Sequence, residues 1–274
     1  MLEILGYDFM INAFIVGILI AIIIPCIGIV VVLKRLSTIG DALSHSSLAG
    51  VAAGLVVGIN PILGAVVFAV IAALGIERIR KSIPKYGEIS TAVITSVGVG
   101  LAAIFSGFVK SGNFNSFLFG SLVAISPFEL YLVVGLSTVV LALFAFLFKA
   151  LFYMTFDEES AKLAGIPVKL VGTVFTILTA VTISISARVV GALVVSSMMV
   201  LPVAAAMQIA KSYKQTVWYS VLFSVIFVVI GLFVSFYWDL KPGGTIVMTG
   251  VITLVVTLLV KAIKGKVTMR DQGA

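Results

Sequence analysis

The sequence predicts an all-α, polytopic membrane protein: about nine transmembrane helices, or eight, with one re-entrant segment, in a single domain over residues 1–274. Three observations carry this. First, 61% of the residues are apolar and 11% charged, with mean hydropathy +1.28, whereas soluble domains average roughly 45–50% and about 25%. Second, the charges leave free runs at 9–33, 42–76 (apart from His45), 89–109, 130–148, 170–187, 189–210, 215–238 and 242–260, and a membrane helix needs about 17–25 apolar residues. Third, the basic residues fall on alternate connections, as treated below.

In order, the spans are 10–33, 37–58, 61–77, 89–109, 128–148, 169–187, 189–210, 216–237 and 245–262. The run 42–76 is too long for one helix, and Gly58-Ile59-Asn60-Pro61 reads as a turn that divides it. Segment 111–127 is apolar but too short and too polar at its start to cross, so it lies on the outer face or dips in against protein. With the N-terminus outside, 15 of the 18 basic residues face the cytoplasm, from Lys34 and Arg35 to Lys261–Arg270, leaving Lys110, Arg188 and Lys241 outside. This satisfies the positive-inside rule, requires an even number of spans between Lys34 and Arg78, and puts the C-terminus inside a cell membrane.

Several functions are excluded at once. Cys26 is the one cysteine and permits neither a disulfide framework nor a thiolate metal cluster. The net charge of +7 is explained by membrane orientation, so no nucleic-acid partner is expected. The first eight residues hold Glu3 and Asp8 and no base, unlike a cleaved signal. No G-x-x-x-x-G-K-[ST] phosphate loop occurs, since Gly265-Lys266 continues into Val267. No internal repeat is evident.

Chemistry concentrates in Gly40-Asp41-Ala42-Leu43-Ser44-His45. Asp41 and His45 are four apart, so on a helix they share a face. A carboxylate and an imidazole together suit a divalent transition metal. Beside them runs a small-residue stripe, Ala42, Ser46, Gly50, Gly54 and Gly58, which lets helices approach closely and places the pair at a seam. The alternative is that Asp41 caps its helix or pairs with a base while His45 merely packs. Against it, the chain's single histidine lies within one turn of an acid in an apolar run, and ionisable residues at such depth mark sites or pathways.

Segment 155–167 predicts a short cytoplasmic helix of about nine residues: Thr155 and Glu158 fit a capping box, and Gly165 with Pro167 ends it. It is either an interfacial connector or a rigid element seated in a partner's groove. In the stretch 188–202, Pro202 disturbs a span and Ser197 is placed to satisfy a freed carbonyl. Met198 and Met199 are read as packing.

The Asp-Ala-Leu-Ser-His run, the loop 159–166, the Gly191-Ala192-Leu193…Leu201-Pro202 helix and the Lys241-Pro242-Gly243-Gly244 turn, in this order, resemble the zinc/manganese ABC-transporter permease family over essentially the whole chain. The resemblance implies a homodimeric membrane permease served by two cytoplasmic ATPase subunits and an extracytoplasmic metal-binding protein. No cofactor is permanently bound; the transported ion is Zn²⁺ or Mn²⁺. It also implies that Asp41 and His45 form the translocation site, with Ser44, Ser197 and Pro202 along the pathway. Residues 156–165 match the coupling helix, with Asp157, Glu158, Glu159, Ala161 and Gly165 meeting the ATPase, and Phe117–Gly120 resembles the outer re-entrant segment. Pro202 is followed by Val-Ala-Ala-Ala where the family often has a threonine.

The resulting expectation is the permease of an ATP-driven importer, moving the ion by alternating access and holding no ATPase motif of its own. The runner-up is a stand-alone secondary metal/proton exchanger, which would transport metal down a proton gradient without an ATPase. Catalysis is excluded: a zinc protease needs H-E-x-x-H, and Ser106-Gly107 has Ile104 where a rhomboid-like loop would want glycine.

Overall fold

The computed structural model describes residues 7–83, 87–109, 114–120, 126–187, 190–192 and 194–271. Eleven helices occur in them and no strand: α1 (Asp8–Leu33), α2 (Ile39–Val57), α3 (Pro61–Ser82), α4 (Gly87–Ser106), α5 (Phe114–Phe119), α6 (Pro127–Phe156), α7 (Glu158–Leu163), α8 (Val168–Ser186), α9 (Val195–Met207), α10 (Tyr213–Trp238) and α11 (Pro242–Asp271).

Seven of these, α1, α3, α4, α6, α8, α10 and α11, are long and apolar enough to cross a membrane. The other two expected spans differ, each for its own reason. α2 is diluted by Asp41, His45 and three serines, yet most of it is buried against α3 and α4, so it faces protein and needs no lipid-like surface. α9 has 13 residues where a helix over 189–210 was expected. At 1.5 Å per residue it is about 20 Å long, short of a roughly 30 Å hydrocarbon core. It begins late because the backbone before it is committed elsewhere: the Ala192 N–H donates to the Phe117 carbonyl of α5 at 2.8 Å. Gly191 there takes φ +96, and a Cβ on it would lie 2.5 Å from the Phe119 carbonyl carbon, so glycine is required twice over.

α1 is the central helix. Ile20, Ile23, Ile24, Ile27 and Ile29 are all fully buried, and α1 packs on α6, α8, α9 and α10. Outer helices turn bulky apolar groups outward instead, such as Phe146 of α6 and Met248 of α11, the surface a bilayer covers. The turn expected at 58–61 is present. Gly58 closes α2 at φ +82, and the Asn60 side chain accepts from the Ile62 N–H at 2.9 Å with Pro61 in the first turn. α6 starts in a reciprocal capping box between Ser126 and Glu129, with Pro127 in its first turn.

Of the stretch 111–127, expected to lie on the outer face or dip in, the described part is α5 and Gly120, with the cap of α6. α5 packs against α2 and α11, with Phe117 buried; 111–113 and 121–125 lie outside the described residues, as do Lys85, Lys110 and Arg188. α7 is six residues long rather than nine.

Candidate functional site

The connection from α1 to α2 is tight: the Leu36 N–H donates back to the Val31 carbonyl at 2.8 Å, and Arg35 sits at φ +58. It delivers Asp41 to the first turn of α2, where the positive end of the helix dipole favours a carboxylate. Asp41 is exposed into an open cavity of about 300 Å³, whose other lining residues include Thr38, Ser196, Ser197 and Val200. Among the described residues Asp41 makes no hydrogen bond and no ion pair, so it neither caps α2 nor pairs with Arg35. His45 follows one turn later and is half-buried. Among the described residues, no cluster of three or more His, Cys, Asp or Glu joins them.

Glycines hold this helix in place. A Cβ on Gly50 would lie 2.2 Å from the Gly64 carbonyl oxygen, and one on Gly64 would lie 2.4 Å from that of Gly50, so α2 and α3 touch backbone to backbone. Gly54 approaches Pro61 the same way, and Ala42 and Ser46 are buried. Gly58 differs from its expected packing role: nothing lies within 4 Å of a Cβ there, and it serves the helix end instead. On the other side, a Cβ on Gly98 of α4 would lie 2.8 Å from the Ser46 nitrogen and 3.0 Å from the His45 carbonyl carbon. Gly98 and Gly64 were not singled out in the sequence. The signal for Gly98 was the α4 series Thr91, Gly98, Ala102, a small-residue face at helical spacing.

Ser197 lines the Asp41 cavity rather than bonding a carbonyl freed by Pro202, and Pro202 is buried within α9. Met198 and Met199 pack: a Cβ on Gly28 of α1 would lie 2.3 Å from the Met199 carbonyl oxygen. The Ser44 hydroxyl is buried and, among the described residues, has no hydrogen-bond partner. Such a group costs free energy unless a water or ligand meets it.

α7 is built by its ends. Asp157, not Thr155, is the cap: its side chain accepts from the N–H of Glu159 at 3.0 Å and of Ser160 at 3.1 Å, and from the Ser160 hydroxyl. The Ser160 hydroxyl, helped by the two N–H groups, holds the Asp157 carboxyl below the usual carboxylate range. Thr155 still belongs to α6 and donates to the Leu151 carbonyl at 2.6 Å. At the other end, the Ile166 N–H reaches the Ala161 carbonyl at 3.1 Å and that of Gly165 reaches Lys162 at 3.0 Å, with Gly165 at φ +81. This is a Schellman closure. Ala161 is fully buried, while Leu163 is 89% exposed and Glu158 pairs with Lys162 at 3.5 Å. The helix thus presents an apolar tip and a charged face outward.

Seven membrane-length helices, with a mostly buried helix among them that carries Asp41 and His45, place the chain among polytopic membrane proteins. The chain belongs to the ABC 3 transport family, whose sequence profile matches residues 6–261. It is 34% identical to the "Probable metal transport system membrane protein" of Treponema pallidum (strain Nichols), covering 94% of this chain and 97% of that one. To the high-affinity zinc uptake system membrane protein ZnuB of Haemophilus influenzae it is 28% identical, covering 92% and 97%. To the manganese import system permease protein ScaB of Streptococcus parasanguinis it is 27% identical, covering 93% and 91%. Among solved structures, PsaBC from Streptococcus pneumoniae in complex with Fab matches with a TM-score of 0.83 and 28% identity, over 92% of this chain and 91% of that chain.

Proposed function

We propose that this chain is the membrane permease subunit of an ABC importer for divalent transition-metal ions, zinc or manganese, with Asp41 and His45 as ligands on the ion's path. The observation that carries the reading is the setting of Asp41: an uncommitted carboxylate at an open cavity between α2 and α9, one turn from the only histidine. Two donors leave coordination positions for water or a second protomer, which suits passing an ion rather than storing it. Ser44, Ser197 and Pro202 line the route in this reading. The ion is cargo, and no permanently bound cofactor is needed.

The partners in this proposal are two cytoplasmic ATPase subunits, an extracytoplasmic metal-binding protein and a second copy of the permease. α7, from Asp157 through Glu158, Glu159 and Ala161 to Gly165, is the coupling helix. Its buried Ala161 and satisfied ends make it stiff enough to pass motion, and exposed Leu163 gives it an apolar contact. Charge asymmetry supports an outside N-terminus and a cytoplasmic C-terminus. Nine crossings follow if α2 and α9 are counted with the seven long helices, and α5 is then the re-entrant piece. The test is uptake in the assembled complex: Asp41→Ala and His45→Ala each abolish metal uptake, with assembly unchanged. Wild-type uptake by both variants at limiting metal overturns the site.

A further inference from the structure

A second cavity, of about 50 Å³, lies where α1, α3 and α8 meet, with Lys34, Glu77, Arg80 and Thr176 on an apolar floor that includes Val31 and Ala73. A water molecule's share of liquid volume is about 30 Å³, so the space admits a group of a few atoms and excludes an acyl chain. Its polar groups can be accounted for one by one. Glu77 is already engaged, by the Lys81 ammonium at 2.6 Å and the Thr173 hydroxyl at 3.4 Å. The Thr176 and Thr179 hydroxyls donate to the Gly172 and Phe175 carbonyls of their own helix, each at 2.9 Å. That leaves Lys34 and Arg80, both half-buried, and among the described residues neither makes a hydrogen bond or an ion pair.

Two cations facing one partly enclosed space repel each other and lose hydration, and the Glu77 carboxylate in the same lining gives its Oε1 to Lys81 and Thr173 rather than to either of them. Burial pulls the Lys34 ammonium below the usual lysine range; Glu158 of α7 opposes this in part, and Arg80 adds a smaller push in the same direction as burial. What completes such a site is an anion with several oxygens. A guanidinium fork beside a point-charge ammonium is the donor pair that phosphate takes.

We propose that this cavity is a phosphate-binding site in which Lys34 and Arg80 hold one phosphate group between the ends of α1 and α3. The phosphate has two sources, an acidic phospholipid headgroup at the membrane surface or free inorganic phosphate. The Glu158 carboxylate of α7 acts on the Lys34 ammonium, so this cavity lies within electrostatic reach of α7. The proposal does not depend on which metal is carried.

The test uses the full-length chain in nanodiscs of phosphatidylcholine, with or without phosphatidylglycerol. Native mass spectrometry reads retained phosphatidylglycerol, and equilibrium dialysis reads radiolabelled inorganic phosphate. The expected result is one tightly held phosphatidylglycerol, or saturable phosphate uptake in the disc lacking it; which one appears identifies the source. The double variant Lys34→Gln/Arg80→Gln lowers that binding by at least about tenfold, the equivalent of one charge-assisted hydrogen bond. The swap Lys34→Arg/Arg80→Lys retains it and shows that charge, not folding, is responsible. A wild-type chain that binds neither probe overturns the proposal whatever the variants do, and equal binding by wild type and a folded double variant does so too. If instead the double variant loses only its ATPase subunits, the two cations serve a protein partner and the phosphate site is refuted.

Discussion

Gly98→Ala, set against Gly100→Ala in the same helix, tests whether α4 fixes the backbone that carries His45. Both changes gain the same helix propensity, about 1 kcal/mol, so their difference isolates the steric part. At Gly100 nothing lies within 4 Å of the new methyl group; at Gly98 it meets the Ser46 nitrogen at 2.8 Å, the Ser46 hydroxyl oxygen at 2.9 Å and the His45 carbonyl carbon at 3.0 Å. Reaching an ordinary contact of 3.4 Å from 2.8 Å requires α4 and α2 to part by about 0.6 Å. The partners are mostly backbone and cannot rotate aside, so the cost falls in the overpacking range of about 1–3 kcal/mol. At a few degrees per kcal/mol for a chain of this size, Gly98→Ala melts roughly 2–12 °C below Gly100→Ala. Tryptophan-fluorescence melting of the purified protein measures this, and uptake at limiting metal shows whether the shift reaches His45. Indistinguishable melting and wild-type uptake for both variants would refute the argument.

The other predictions concern α7 and the ion. Gly165→Pro demands a negative φ where the chain sits at +81 and deletes the N–H that donates to Lys162; Glu158→Lys replaces an i,i+4 pair with repulsion. Each should lower metal moved per ATP hydrolysed several-fold in an assembled complex, and an unchanged ratio rules out coupling through α7. The Asp157 carboxyl is held below its usual range, so its cap is fully present above the unfolded carboxylate pKa of about 3.9 and lost only as pH falls through the lower folded value. Hydrogen exchange at α7 should therefore show protection kept at pH 5 and lost in stronger acid, while Asp157→Ala lacks it throughout; equal protection in both proteins removes the cap's role. Exchanging the extracytoplasmic binding protein for one of different metal preference, with docking preserved, should change the ion taken up in competition assays; unchanged preference assigns the choice to the permease.

Most helices were legible because their ends are written in local chemistry. The Gly58–Pro61 turn divided α2 from α3 and the charge-free runs supplied the lengths, while the Ser126-Pro127 start of α6 was equally local and was not singled out. The failures have a common cause in contacts distant in sequence. α9 starts late because its preceding backbone is hydrogen-bonded to α5, which no periodicity within 189–210 reveals. α6 was expected to stop near 148 because Lys149 ends the apolar run. It continues to Phe156, since Phe152 packs on Tyr213 of α10 at a ring separation of 5.1 Å and Thr155 returns its hydroxyl to α6. With Thr155 thus occupied, Asp157 was left to cap α7. In the candidate site, Asp41 and His45 were visible as a spacing, but the α9 wall of the cavity and the α4 contact at Gly98 were not. Both depend on how helices meet.

On the proposed reading, the same geometry says where an ion can be chosen. An oxygen and an imidazole nitrogen without a thiolate make a borderline donor set, poor for Cu(I), and calcium and magnesium want six or more oxygens or several retained waters. Zinc and manganese both remain, and the Irving–Williams order puts zinc ahead at any such pair. A rigid four-donor cage would enforce a choice by geometry, but α2 offers Asp41 at an open cavity and His45 one turn further on, outside the residues that line it, with the remaining positions left to whatever approaches. Comparable similarity to a zinc protein at 28% and a manganese protein at 27% fits a scaffold that does not itself specify the metal. Selection then belongs upstream, to a protein that binds long enough to discriminate, and weak holding by Asp41 and His45 is what allows the ion to leave.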